Sequence, residues 1–189
     1  MPTSTMLTFG HGRLDREELA SLLEGAAVEA VVDVRRFPGS RTNAAASRGA
    51  VEDLAGEVGI AYRQDARLGG RRSLTQDDDA ASPDTWWQVK AFRAYAGWTR
   101  SEEFRAGLAD LLAEVQARRT AVMCSEAVWW RCHRRIISDV VAVEGGVRVE
   151  HLMHDRRLVE HRVSEGARLG PDGRLVWDAQ AGGRTNPVS

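Results

Sequence analysis

The stretch Ala121-Val122-Met123-Cys124-Ser125-Glu126-Ala127-Val128-Trp129-Trp130-Arg131-Cys132-His133-Arg134-Arg135 carries the reading of the fold. It opens as a short apolar run, breaks into a loop and restarts as a helix whose apolar residues are Ile136, Ile137, Val140, Val141 and Val143. A strand, a loop and a helix in that order form the repeating unit of an α/β sheet. Ligands of open α/β sheets bind beyond the carboxyl ends of the strands. Both cysteines of the chain fall in this junction, with a carboxylate, a histidine and several arginines beside them.

Working outward, the same alternation recurs. Met6 to Phe9 predicts a strand ended by Gly10-His11-Gly12. Asp15 with Glu18 predicts a capping box for a helix with Leu19, Leu22, Leu23 and Ala26 on one stripe. Ala30 to Val34 reads as a strand covered on both faces, apolar except for Asp33. Val51, Leu54, Ala55 and Val58 mark a second helix, and a strand begins at Ile60. Thr99 with Glu102 predicts the cap of a helix carrying Phe104, Leu108, Leu111, Leu112 and Val115. Val147 to His151 alternates as an edge or half-exposed strand does. Residues 64–98 show no period and read as a long loop or lid. Leu169 to Leu175 reads as a turn between two short strands. The expectation is a three-layer α/β fold: a mostly parallel sheet flanked by helices, with a C-terminal β-hairpin. Residues 1–180 are expected to form one domain, and residues 181–189 a mobile tail.

The bulk numbers narrow the function classes. With 26 basic and 27 acidic residues, the net charge of −1 argues against sequence-blind nucleic-acid binding, which needs a basic face. No apolar run approaches the ~20 residues of a membrane span, so no membrane partner is expected. Two free-looking cysteines and no signal-peptide pattern favour the cytoplasm. Charge is uneven, however: residues 35–72 hold eight arginines against four acids.

At the junction, Cys132 lies four and eight residues before Ile136 and Val140, so it should point inward at the first turn of the helix. His133 aligns likewise with Ile137 and Val141. A thiol there feels the helix dipole and the neighbouring arginines, which favour the thiolate. His11, Asp33, Arg35, Cys124 and Glu126 all fall at or beyond predicted strand ends and should converge on one rim. Glu126, two residues beyond a buried strand, is expected to have a partner. Asp33 and Arg35 also fit a buried ion pair tying loop to sheet, and Cys124 and Cys132 also fit small buried hydrophobes.

The candidate catalytic set is therefore Cys132, Glu126, Cys124, His11 and Asp33. The candidate ligand-binding set is Arg35, Arg41, Arg71, Arg131, Trp129 and Trp130, with the tryptophans as a stacking platform. A glycine-free loop of six residues between Cys124 and Arg131 is too bulky for a phosphatase anion nest. Cys124, Cys132, His133 and His11 together offer an alternative, iron or zinc, if the fold gathers them. The reading favoured is an enzyme cleft for an anionic ligand, a nucleotide or nucleic-acid component among them. The competing class is a non-catalytic module binding nucleic acid or protein.

Four ordered motifs carry a resemblance. Cys124-Ser125-Glu126 followed by Trp130-Arg131-Cys132-His133-Arg134 resembles the hallmark of the family named domain of unknown function 488. Thr8-Phe9-Gly10-His11, Val32-Asp33-Val34-Arg35 with Pro38 and Ser40-Arg41, and Leu68-Gly69-Gly70-Arg71 resemble its other signatures in the same order. Gly12 departs from the serine usual there. The resemblance implies an α/β domain and supplies no activity.

Overall fold

The computed structural model describes residues 4–178; the expected mobile tail, 181–189, lies outside the described residues. Six strands form one sheet: β1 (Thr5–Gly10), β2 (Ala30–Asp33), β3 (Ala61–Gln64), β4 (Thr120–Cys124), β5 (Arg148–Leu152) and β6 (Leu158–Glu160). Their spatial order is β3-β2-β4-β1-β5-β6, parallel throughout except for the antiparallel β6. A separate antiparallel hairpin joins β7 (Ala167–Leu169) to β8 (Leu175–Trp177). The sheet is the mostly parallel one expected, and the hairpin is in place.

Period-two alternation sorts each strand's side chains between two layers. Leu7, Phe9, Val31, Ala121 and Met123 face α1 (Arg16–Gly25) and α2 (Ala50–Glu57), which bury Leu19, Leu22, Leu23, Val51 and Leu54 against them. Met6, Val32, Val122, Cys124 and Val149 face the other layer, three helices labelled in chain order α4 (Lys90–Trp98), α5 (Glu102–Ala117) and α6 (Arg134–Val143). Trp177 of the hairpin closes this second core.

Several local expectations are corrected. The loop read over residues 64–98 contains the short helix α3 (Gln76–Ala80) and the whole of α4, and its Leu68, Trp87 and Tyr95 are core residues. It is packed, not a lid, because aromatics spaced too irregularly for a helical stripe still fill one continuous core. The cap of α5 is Ser101, whose side chain accepts from the Phe104 amide. Thr99 instead ends α4 and donates its hydroxyl to the Ala96 carbonyl. Of the two readings of β5, the half-exposed face holds, with Arg148 exposed and Glu150 partly so, and the edge position does not, since β6 pairs with it. Finally, α6 begins at Arg134. A 3-10 turn over Trp129–Arg131 takes up three residues first, leaving Cys132 extended (φ −135°, ψ 165°) just ahead of the helix.

The loops after β2 and β4 leave neighbouring strand ends for opposite layers, β2 towards α2 and β4 towards α6. Such a divergence opens a crevice at the carboxyl edge, where ligands of doubly wound sheets bind.

Candidate functional site

A cleft of ≈ 180 Å³ occupies that crevice, lined by Arg35, Arg36 and Phe37 after β2, Cys124, Ser125 and Glu126 after β4, Cys132 and His133 ahead of α6, and Gly70 and Arg71. An adjoining groove of ≈ 750 Å³ shares Phe37, Arg71 and Ser125 with it and adds Arg41 and Arg48. Among the described residues, Arg36, Arg41, Arg48 and Arg71 form no ion pair, whereas nearby Arg35, Arg63 and Arg67 do. Their charge is free for an anion.

Two glycines allow the walls to close. A Cβ on Gly10 would lie 1.6 Å from the Glu126 carbonyl oxygen, so only glycine lets the loop after β4 cross the end of β1. There His11 N–H donates to the Cys124 carbonyl and Gly12 N–H to that of Ser125, extending the ladder past the strand ends. A Cβ on Gly70 would meet His133 Nδ1 at 2.8 Å. Arg71, the next residue, holds φ 56°, a left-handed conformation unfavourable for a side chain, at the cleft wall.

The two thiols meet at the cleft floor, Cys124 Sγ 3.0 Å from Cys132 Sγ. Arg134, 1% exposed, donates from Nε to Cys124 Sγ at 2.9 Å, and its backbone N–H donates to Cys132 Sγ at 3.3 Å. Burial pushes the Cys132 thiol up, but the Cys124 S–H, the His133 ring and the Arg134 charge outweigh it and hold Cys132 well below its ordinary range. Burial pushes Cys124 well up, reinforced by the negative charge of its partner. One proton shared unequally between two sulfurs accounts for both directions.

Arg134 also roots a buried chain that begins on the same face of the sheet. Its Nη1 donates to Thr8 Oγ1, and Nη2 donates to the Glu126 carbonyl. Register places Thr8 opposite His151, and their side chains bond at 2.6 Å. His151 Nε2 meets His161 Nδ1 at 3.0 Å, and His161 Nε2 meets Asp139 Oδ1 at 2.8 Å. Asp139 also accepts from the Ser164 N–H and from Trp177 Nε1. Arginine can only donate and a carboxylate can only accept, so the two ends of the chain are fixed: Thr8 accepts from Arg134, and His161 donates to Asp139. Burial, then the charges of His161 and Arg134, lower the His151 pKa to about 3, so the ring is neutral. Trp129 stacks on that ring, centroids 4.1 Å apart and 7° from parallel.

The predicted site residues therefore divide. Cys124, Cys132, Glu126, Arg35, Arg71 and His133 line the cleft, and Arg41 lines the adjoining groove. Asp33 does not. Strand parity turns it to the α1–α2 layer, where its carboxylate takes Arg35 Nε and Nη2 and the Tyr62 hydroxyl. Arg35 spends a further donor on the Ala46 carbonyl, so this is the loop-tying ion pair. His11 is buried outside the cleft lining. Burial chiefly lowers its pKa, and Nε2 has no partner among the described residues. Glu126 is exposed and its carboxylate has no partner among the described residues, against the expectation of one; its backbone carbonyl anchors the site instead. Arg131 and Trp130 point to solvent, Trp130 being 47% exposed. Thr8 and Arg134 stand in the sequence motifs without a site role of their own, and Arg36, His151, His161 and Asp139 are not among the sequence candidates. Their one signal is polar residues interrupting apolar stripes.

No three His, Cys, Asp or Glu side chains among the described residues are placed to share a metal ion, so the iron or zinc alternative finds no ligand set. No helix of the described residues is long and apolar enough to cross a membrane.

A family model described as "Domain of unknown function DUF488" matches residues 15–141. The chain belongs to that family. The match takes in β2, β4, the junction loop and most of α6, and so includes both cysteines, Arg134 and Asp139. It stops short of β5, leaving His151 and His161 outside. No curated protein and no solved structure matches the chain.

Proposed function

We propose that the protein is an enzyme whose Cys132 thiolate acts as nucleophile on an anionic small molecule held by Arg36, Arg71 and Arg41. The observation that carries this reading is one cleft in which Cys132 Sγ, against Cys124 and the Arg134 backbone N–H, faces arginines that have no carboxylate partner among the described residues. A thiolate donates its electron pair to an electrophilic atom, and the group displaced leaves with the electrons of the broken bond. Arg134 and the first amide of α6 keep the sulfur charged, and the exposed Glu126 carboxylate at the cleft wall serves as proton carrier. The ligand's phosphate or carboxylate is the feature recognised. A nucleotide is one member of that class, with Trp130 rather than Trp129 free to stack, because Trp129 already covers His151.

The test is the rate of iodoacetamide labelling of Cys132, read by peptide mass spectrometry at neutral pH with and without pyrophosphate or a nucleoside monophosphate. Rapid labelling at Cys132 but not Cys124, slowed by the anions and released from that protection in Arg71→Ala, is the expected result. A Cys132 that reacts only after unfolding would refute the reading.

A further inference from the structure

A nucleophilic cysteine needs no second thiol, yet Cys124 sits against it. The two sulfurs are 3.0 Å apart, about 1 Å beyond the ~2.04 Å of a bonded pair. They arrive from separate elements, the last residue of β4 and the extended residue ahead of α6. Cys132, 6% exposed, opens to the cleft, and Cys124 sits beside it with 2% exposed. Arg134 donates from Nε to Cys124 Sγ and from its backbone N–H to Cys132 Sγ. A group bonded to Cys132 therefore lies within reach of one other nucleophile, the sulfur of Cys124.

We propose that Cys124 and Cys132 form a dithiol–disulfide couple that reduces small disulfides bearing carboxylates, with Cys132 attacking and Cys124 resolving. This rests on the thiol reading of the cleft given above and names the substrate class for it. In the first step Cys132 Sγ gives its electron pair to one sulfur of R–S–S–R. The S–S bond breaks, and RS⁻ leaves and takes a proton from water. In the second step Cys124 Sγ attacks Cys132 Sγ of the mixed disulfide. The second RS⁻ leaves and takes the proton Cys124 gives up. The protein has then lost two electrons and the one proton of Cys124, the second proton has come from water, and R–S–S–R has become two R–SH. A small dithiol reverses the change and completes a cycle.

The surroundings favour this order. While Cys132 is charged, its charge opposes ionisation of Cys124. Once Cys132 is tied up in a neutral mixed disulfide that opposition is gone, and the guanidinium 2.9 Å away favours the Cys124 thiolate. The guanidinium groups of Arg36 and Arg71 in the cleft, and of Arg41 and Arg48 in the groove beside it, none of them ion-paired among the described residues, select a negatively charged R group.

The experiment uses the reduced full chain with two disulfides of similar bond and opposite charge, glutathione disulfide and cystamine, at low salt. Intact mass and peptide mapping follow the products. Glutathione disulfide is expected to convert the pair to a Cys124–Cys132 bridge at least about tenfold faster than cystamine, the lower end of the gain from a focused charge field. Cys124→Ser, with Cys124→Ala in reserve should serine unfold the core, is expected to stop at a glutathione adduct on Cys132. Mapping the bridge in the unmodified chain needs neither variant. An adduct that persists unresolved in the unmodified chain overturns the couple, and equal rates for the two disulfides overturn the anionic substrate. If neither disulfide reacts while iodoacetamide still labels Cys132 with anion protection, this proposal fails and the cleft reading stands. If Cys132 is also inert to iodoacetamide, both fail.

Discussion

Mild acid should destabilise this protein through His151. The ring is fully buried between Thr8 and His161 under Trp129, and its pKa is lowered to about 3 by burial and by the charges of His161 and Arg134. In the unfolded chain an imidazole titrates near ~6.5. The native pKa lies below the unfolded one, so the neutral ring's contribution is complete above that unfolded value. It is lost as pH falls, because the unfolded state takes up a proton that the native state refuses. Each unit below ~6.5 removes about 1.4 kcal/mol, so the passage from pH 7 to pH 5 removes about 2 kcal/mol through this one residue. Against a total of roughly 5–15 kcal/mol that is a large fraction. His11, lowered chiefly by burial, adds to the loss with the same sign. The assay is urea unfolding at pH 7, 6 and 5 for the unmodified chain and for His151→Gln, whose amide N–H can still donate to His161 Nδ1 but does not titrate. The variant should start less stable and then lose about 2 kcal/mol less across the range. Parallel pH dependences for the two proteins would refute the reading that the folded chain holds His151 neutral.

Three further outcomes follow from contacts at the site. Arg134→Met removes a buried charge facing Cys124, Thr8 and the Glu126 carbonyl. It should cost about 3–5 kcal/mol. At ~2–4 °C per kcal/mol for a chain of this size, that lowers Tm by roughly 6–20 °C; iodoacetamide labelling of Cys132 in the still-folded protein should slow as well. Gly10→Ala places a Cβ 1.6 Å from the Glu126 oxygen and should cost upwards of about 4 kcal/mol in thermal or urea melts; a shift near zero would mean the junction loop is not held over β1. Arg71→Gly relieves a left-handed φ worth ~1–2 kcal/mol against a glycine entropy cost of ~0.5–1 kcal/mol. Its melt should hold or rise slightly while pyrophosphate protection of Cys132 weakens, and a destabilised variant would show that the Arg71 side chain is structural.

The sheet was legible because its signals are local. Val31, Val32 and Val122 sit in apolar runs between glycines and caps, and the alternation with Leu19, Leu22 and Leu108 sets the layers without knowledge of any long-range contact. The same parity would have told Asp33 from Cys124. The two residues face opposite layers, which separates the ion pair with Arg35 from the thiol cleft. The burial of Arg134 has a similar cause. A spacing of four back from Ile136 and Ile137 reaches Cys132 and His133, and the spacing of three from Ile137 reaches Arg134, the residue that is buried. The 3-10 turn at Trp129–Arg131 is set by Gly10 admitting the loop across β1 and by Trp129 landing on His151, both tertiary events. Asp139 could not be placed from the sequence at all. A carboxylate beside Val140 and Val141 reads as the wet face of α6 until His161, 22 residues on, and Trp177, 38 residues on, fold over it. Buried polar groups must find partners or cost several kcal/mol, so Asp139, His161, His151, Thr8 and Arg134 are fixed as a set once any one of them is buried. Cys124 sits at the end of that set, and its sulfur is positioned by a chain whose far anchor, Asp139, lies further along α6 itself and is held there by His161 and by Trp177 of the hairpin.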